Sequence, residues 1–208
     1  KNRPLAKNLI SHFDVLCFIF FQLTLGFIIL INFNVKVIFF SLFIFPMVVV
    51  YPLFKRVTNF PQVILGLVFN WGVLVGFLTQ NNELSLGIIY LYLSGVFLTI
   101  AYDTIYAFQD LVDDKRAGVK SLAIYLEKKP KFIIFLIFCI SFIFLNLSIL
   151  QKKNTTFFET LSLTLLVFLS YIIQYLNFKN NMNYKSIFDF SVYVGAIITG
   201  VILLQNYL

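Results

Sequence analysis

The chain has 208 residues, a formal net charge of +7, 60% hydrophobic and only 12% charged residues, and a mean hydropathy of +0.91. That composition excludes an ordinary soluble domain and places the chain in a bilayer. The basic surplus is spread over separate segments instead of one stripe, which argues against nucleic acid as a partner.

The polar, basic start Lys1-Asn-Arg-Pro-Leu-Ala-Lys-Asn is followed by an apolar run longer than a signal-peptide core, so it reads as the flank of a membrane helix. Apolar runs able to cross about 30 Å of hydrocarbon fall at residues 14–33, 35–54, 62–79, 85–107, 131–150, 157–177 and 187–206. The expectation is therefore an all-α, polytopic membrane helix bundle with seven spans. His12 lies at the membrane edge with no His or Cys at ligand spacing, so it is expected to be interfacial. Cys17 and Cys139 lie inside apolar runs and are expected to be small buried hydrophobes without a disulfide.

Seven spans make a testable pattern of loop charge. They put Lys1, Arg3, Lys7, Lys55, Arg56, Lys115, Arg116, Lys120, Lys128, Lys129, Lys131, Lys179 and Lys185 on one side, and Lys36, Lys152 and Lys153 on the other. The positive-inside rule makes the rich side cytoplasmic, in a bacterial inner membrane, or the matrix side if the chain is mitochondrial. On that side the loop Tyr51-Pro-Leu-Phe-Lys55-Arg56-Val-Thr58-Asn59-Phe-Pro61-Gln62 presents a cation pair. Lys55 and Arg56 suit a pyrophosphate, because a cation placed on developing negative charge lowers a barrier more than uniform binding does.

The next loop on that side holds Asp103-Thr-Ile-Tyr106-Ala-Phe-Gln-Asp110-Leu-Val-Asp113-Asp114, four of the nine acidic residues of the chain. At about 100° per residue, Asp110 and Asp114 each fall within roughly 20° of Asp103, while Asp113 points aside. Asp110 and Asp114 are about 6 Å apart along the axis and Asp103 lies about 10 Å below Asp110, so the first two form the natural ion pair of ligands. Carboxylates with free coordination positions suit Mg²⁺, which commonly completes its shell with waters and substrate phosphate. Asp103 sits near the headgroup boundary, where a carboxylate needs compensation. Gly118 permits a tight turn, and Lys120 offers a further phosphate contact.

Tyr51 to Gly66, Asn70-Trp71-Gly72 and Ala101 to Ser121 together resemble the UbiA-type intramembrane prenyltransferases, within them the branch acting on 4-hydroxybenzoate. The resemblance covers residues 1 to about 126, with apolar helices beyond. It implies a bundle, normally of nine membrane helices, in which two Asp-rich motifs hold Mg²⁺ on a polyprenyl pyrophosphate. The implied reaction is transfer of the polyprenyl group to the ring carbon ortho to the hydroxyl of 4-hydroxybenzoate, in ubiquinone biosynthesis. By the same resemblance Asp110 and Asp114 are the metal pair of the second motif, with Asp103 at its head. Tyr51 and Lys55 match a Tyr-x-x-x-Lys element beside the pyrophosphate, and Tyr106, Asn70 and Trp71 fall to the substrate cavity. Arg3, expected to join Lys55, Arg56 and Lys120 on the pyrophosphate, belongs to an Arg-Pro-Leu sequence that follows the first Asp-rich motif in the family. Residues 1–208 are thus expected to be one prenyltransferase domain lacking two N-terminal helices and that first motif, the alternatives being an inactive fragment of such an enzyme or a UbiA-type enzyme with another aromatic acceptor. A cation-coupled transporter is the competing class, but it predicts polar or broken helices near the midplane, whereas these acids gather at one membrane face.

Overall fold

The computed structural model describes residues 9–127, 130–151, 157–179 and 183–207. It divides into two compact units, Lys1–Phe43 and Ile44–Leu208. Among the described residues every regular element is helical, and a helix stands at each of the seven apolar runs. Six helical spans have the length and apolarity to cross a membrane; the seventh, within Phe157–Lys179, has a shorter described apolar stretch, Thr164–Phe178.

The first unit holds α1 (His12–Leu30) and α2 (Val35–Phe43). Ser11 starts α1 with a capping box: its Oγ accepts the Asp14 N–H at 3.1 Å, and the Asp14 carboxylate accepts the Ser11 N–H at 3.3 Å. Cys17 does not meet the expectation of burial; it is exposed, because α1 buries no residue and its apolar side chains face outward all round. His12 is exposed in the first turn of that helix.

The second unit begins with α3 (Phe45–Val57) and continues with α4 (Pro61–Leu78) and α5 (Leu86–Ala107). The helical ladder is interrupted at Ile44 because Pro46, in the first turn of α3, has no N–H to donate backwards. Thr58 turns extended, with φ −114° and ψ 152°, and Pro61 opens α4, a position where its missing N–H costs nothing. Beyond α5 come a 3₁₀ turn (Phe108–Asp110), α6 (Leu111–Arg116), α7 (Leu122–Tyr125), α8 (Pro130–Leu150), α9 (Phe157–Lys179) and α10 (Tyr184–Tyr207).

α5 is the axis of this unit. Half of its membrane window is buried, against 28% for α4 and for α8, which flank it. α10 also touches α5, while α9 packs between α8 and α10, and α3 lies on α4. Since lipid is as apolar as leucine, close approach and internal hydrogen bonds must hold such helices together. Ser94 on α5 and Ser141 on α8 each donate to the other's backbone carbonyl at 2.8 Å, and the Tyr171 hydroxyl of α9 lies 3.0 Å from Ser141 Oγ. Cys139 on α8 is half-buried and unpaired to sulfur.

The α4–α5 contact relies on glycine. A Cβ on Gly66 would stand 2.9 Å from the Val96 carbonyl oxygen, whereas one on Gly72, further up the same helix, would meet nothing within 4 Å. Gly66→Ala should therefore cost about 1–3 kcal/mol as an overpacking change, and Gly72→Ala should be neutral or slightly stabilising through helix propensity. Thermal unfolding in detergent checks the contrast: Gly66→Ala is expected to melt several degrees below Gly72→Ala.

Candidate active site at one end of the bundle

The C-terminus of α3, the N-terminus of α4 and the segment from the end of α5 through α7 meet at one end of the second unit. Tyr51 and Lys55 are four residues apart on α3 and so share a face. The Lys55 ammonium lies 5.8 Å from the Tyr51 ring centroid, a cation–π contact. Across from them, Lys55 is within electrostatic reach of both Asp103 on α5 and Asp114 on α6, and Tyr51 senses Asp103 as well. Asp103 and Asp114 are partly buried; Lys55, Arg56 and Asp110 are exposed.

The acidic stripe differs from a straight helix. α5 ends at Ala107 and tightens into the 3₁₀ turn, and Asp110 takes φ −104° and ψ 11° before α6 begins. The uniform 100° arithmetic therefore fails between Asp103 and Asp110, because a 3₁₀ turn winds three residues per turn. Asp110 and Asp114 nevertheless remain electrostatic neighbours. Asp113 turns aside to Arg116, 3.9 Å away on the surface.

Three side chains hold this end together. The Lys120 backbone N–H donates to the Lys55 carbonyl at 2.8 Å, and its ammonium donates to the Val57 carbonyl at 3.0 Å, satisfying two acceptors that the end of α3 leaves open. Gln62, buried in the first turn of α4, accepts the Leu122 N–H through Oε1 at 3.0 Å. Lys115 pairs with Glu127 at 2.6 Å, linking α6 to the far side of α7. Gly118 makes the turn between them possible. Its φ is +66°, its N–H donates to the Lys115 carbonyl, and the next N–H, of Val119, donates to that of Asp114, a Schellman closure of α6.

Other residues read from the sequence have different surroundings. Asn70 lies in the α4–α5 junction, where its amide donates to the Gly66 carbonyl and to Thr99 Oγ1, both at 2.9 Å. Trp71 stands edge-on to Tyr92, at 6.1 Å, in the same layer. Tyr106 packs on Phe188 of α10 at 4.7 Å. Arg3 lies outside the described residues, as do Lys1, Lys7, Lys128, Lys129, Lys152 and Lys153. Gln62 was given no role from sequence, since a polar residue after a proline carries no charge or periodic signal.

A divalent cation can be tested against the donors present. Among the described residues no group of three or more His, Cys, Asp or Glu side chains could hold a metal. The donor set is the two carboxylates Asp110 and Asp114, for which the structure records no hydrogen bond and no ion pair within 4 Å. Hard oxygen donors with free lone pairs, in a pair, fit Mg²⁺, which binds through one or two carboxylates when substrate phosphate supplies the rest.

Comparison with known proteins places the family and the fold. The family model described as the UbiA prenyltransferase family matches residues 1–194. The mitochondrial 4-hydroxybenzoate polyprenyltransferase of Drosophila pseudoobscura pseudoobscura is 45% identical over 132 residues, 63% of this chain and 33% of that protein. The 4-hydroxybenzoate octaprenyltransferase of Vesicomyosocius okutanii subsp. Calyptogena okutanii (strain HA) is 33% identical over 206 residues, 98% of this chain and 75% of that protein. The apo structure of a UbiA homolog from Aeropyrum pernix K1 superposes with a TM-score of 0.81 at 19% identity, covering 99% of this chain and 77% of that one. The chain spans about a third of the length of the mitochondrial relatives from Drosophila.

Gly118 gives the arrangement a direct check. Nothing lies within 4 Å of a Cβ placed there, so Gly118→Ala suffers only the left-handed backbone penalty, about 1–2 kcal/mol. Hydrogen exchange should show the loss confined to α6 and the following turn, with the α5–α8 contact as protected as before.

Proposed function

Because the chain belongs to the UbiA prenyltransferase family, we propose that it transfers a polyprenyl group from a polyprenyl diphosphate to the carbon ortho to the hydroxyl of 4-hydroxybenzoate. The observation that carries this reading is the convergence of Lys55, Asp103 and Asp114 from three helices at one end of an apolar bundle. The names of the relatives support the acceptor and the donor class. The membrane-spanning helices give a long isoprenoid tail an apolar medium to lie in.

In the reaction, the bond between the allylic carbon and the diphosphate oxygen breaks, and its electron pair leaves with the diphosphate. The ring carbon ortho to the phenol bonds to the allylic carbon, and the ring proton is lost. Lys55, with Arg56 beside it in sequence, neutralises charge growing on the leaving group. Tyr51 stands under the Lys55 ammonium and steadies it. Asp103, one turn inside the end of α5, offers negative charge to the allylic cation or to the acceptor's ionising ring. Asp110 and Asp114 are the residues that would hold magnesium, which when bound supplies positive charge to the diphosphate oxygens. Lys120 serves this site from behind, through the end of α3.

Lys55, Arg56, Lys115, Arg116, Lys120 and Lys185 stand in segments at this end of the unit, and Glu83 at the other. By the positive-inside rule the site faces the cytoplasm of a bacterium, or the matrix of a mitochondrion.

Membranes carrying the protein should convert 4-hydroxybenzoate and a polyprenyl diphosphate to the 3-prenylated acid only when Mg²⁺ is present. Asp110→Asn and Asp114→Asn are each expected to lower turnover by at least about a hundredfold, in line with the removal of a preorganised charge partner. Turnover that survives both substitutions, or chelation of the metal, would exclude the metal assignment.

A further inference from the structure

Gln62 lies on neither the acidic nor the basic face, yet it is buried at 3% exposure in the first turn of α4. Its Oε1 accepts the N–H of Leu122, the first residue of α7, sixty positions along the chain. Two residues before Leu122, the Lys120 N–H donates to the carbonyl of Lys55 itself and the Lys120 ammonium to that of Val57. One residue earlier still, the Val119 N–H donates to the carbonyl of Asp114. A single turn, residues 118–122, is thus hydrogen-bonded in succession to the backbone of Asp114, the backbone of Lys55 and the side chain of Gln62.

We infer that Gln62 is a positioning residue: it locks the 118–122 turn against α4, and that turn holds the Lys55 side of the site in register with the Asp114 side. This rests on the reading of that end of the bundle as the diphosphate site. The physical reason is that Lys55 and Asp114 sit on separate helices and have no ion pair within 4 Å between them to fix their separation. The turn supplies the missing restraint through backbone atoms, and Gln62 is a buried side chain that anchors it to α4. Catalysis by preorganised charge is sensitive to displacements of about 1 Å, so loosening the anchor should reach the reaction without touching a substrate.

The test compares Gln62→Leu, which removes the acceptor, with Gln62→Glu, which keeps an oxygen at the same reach. Without substrate or metal, hydrogen exchange in Gln62→Leu should quicken at the amides of Lys120 and Leu122, and Gln62→Glu should restore protection. With prenyl diphosphate and 4-hydroxybenzoate, Gln62→Leu should lower kcat roughly ten- to a hundredfold, and Gln62→Glu should recover most of it. In a Lys55→Met background Gln62→Leu should change the residual rate little further, because the group it positions is already gone; contacts that act as a unit are not additive. If Gln62→Leu does not fold, Gln62→Met, which keeps the volume and removes the acceptor, takes its place with the same expected non-additivity.

Faster exchange with unchanged kcat, or losses that multiply fully in the Lys55→Met background, would overturn the positioning role. Wild-type kinetics in Lys55→Met itself would instead overturn the diphosphate reading, so the two failures are told apart.

Discussion

A carboxylate one turn inside the end of an apolar helix must find compensating charge, and Asp103 is placed that way on α5. Lys55, from another helix, lies within electrostatic reach of it and of Asp114, without an ion pair to either. Much of the surrounding architecture follows from bringing that cation to that place. α3 has to end beside the end of α5, so the chain must turn back at Thr58 and re-enter through Pro61. Lys120 and Gln62 then tie the returning segment after α6 to α3 and to α4.

The rest of the second unit serves as a frame. α5 can sit at its centre because Gly66 lets α4 come close and because the reciprocal Ser94–Ser141 pair meets α8 without a bulky side chain. In lipid these contacts replace the hydrophobic drive that a soluble core would have. Asn70 belongs to this frame: its hydrogen bonds to Gly66 and Thr99 fix the two helices midway along α4, one layer inside the site. The frame also explains why the ionisable groups of the site collect at one end, since the packed middle has no water to solvate them.

The spans were legible because apolar runs of membrane length leave little other choice. Tyr51 with Lys55 came from the resemblance to a Tyr-x-x-x-Lys element, and the nearness of Asp110 to Asp114 was legible in their one-turn spacing. The exact winding between Asp103 and Asp110 was not: the 3₁₀ turn at Phe108–Asp110 has no proline or glycine to announce it. Lys120 reads as a phosphate ligand by charge alone, yet its donors close the end of α3, which only the fold reveals. The cross-helix hydrogen bonds of Asn70 and Gln62 were hidden for a related reason, as those partners are 29 and 60 residues away. Cys17 was expected to be buried because it lies inside an apolar run, but a membrane helix can present such residues to lipid instead of to a neighbouring helix.

The account stands on Lys55 and Asp114 facing one another across a single site. Cysteines placed at both positions, in a protein whose Cys17 and Cys139 are replaced by serine, should be joined in membranes by a short bifunctional thiol reagent. The Lys115→Cys, Glu127→Cys pair serves as the positive control, because those side chains already touch. Joining of both pairs is the predicted result; joining of the control pair alone would contradict the account.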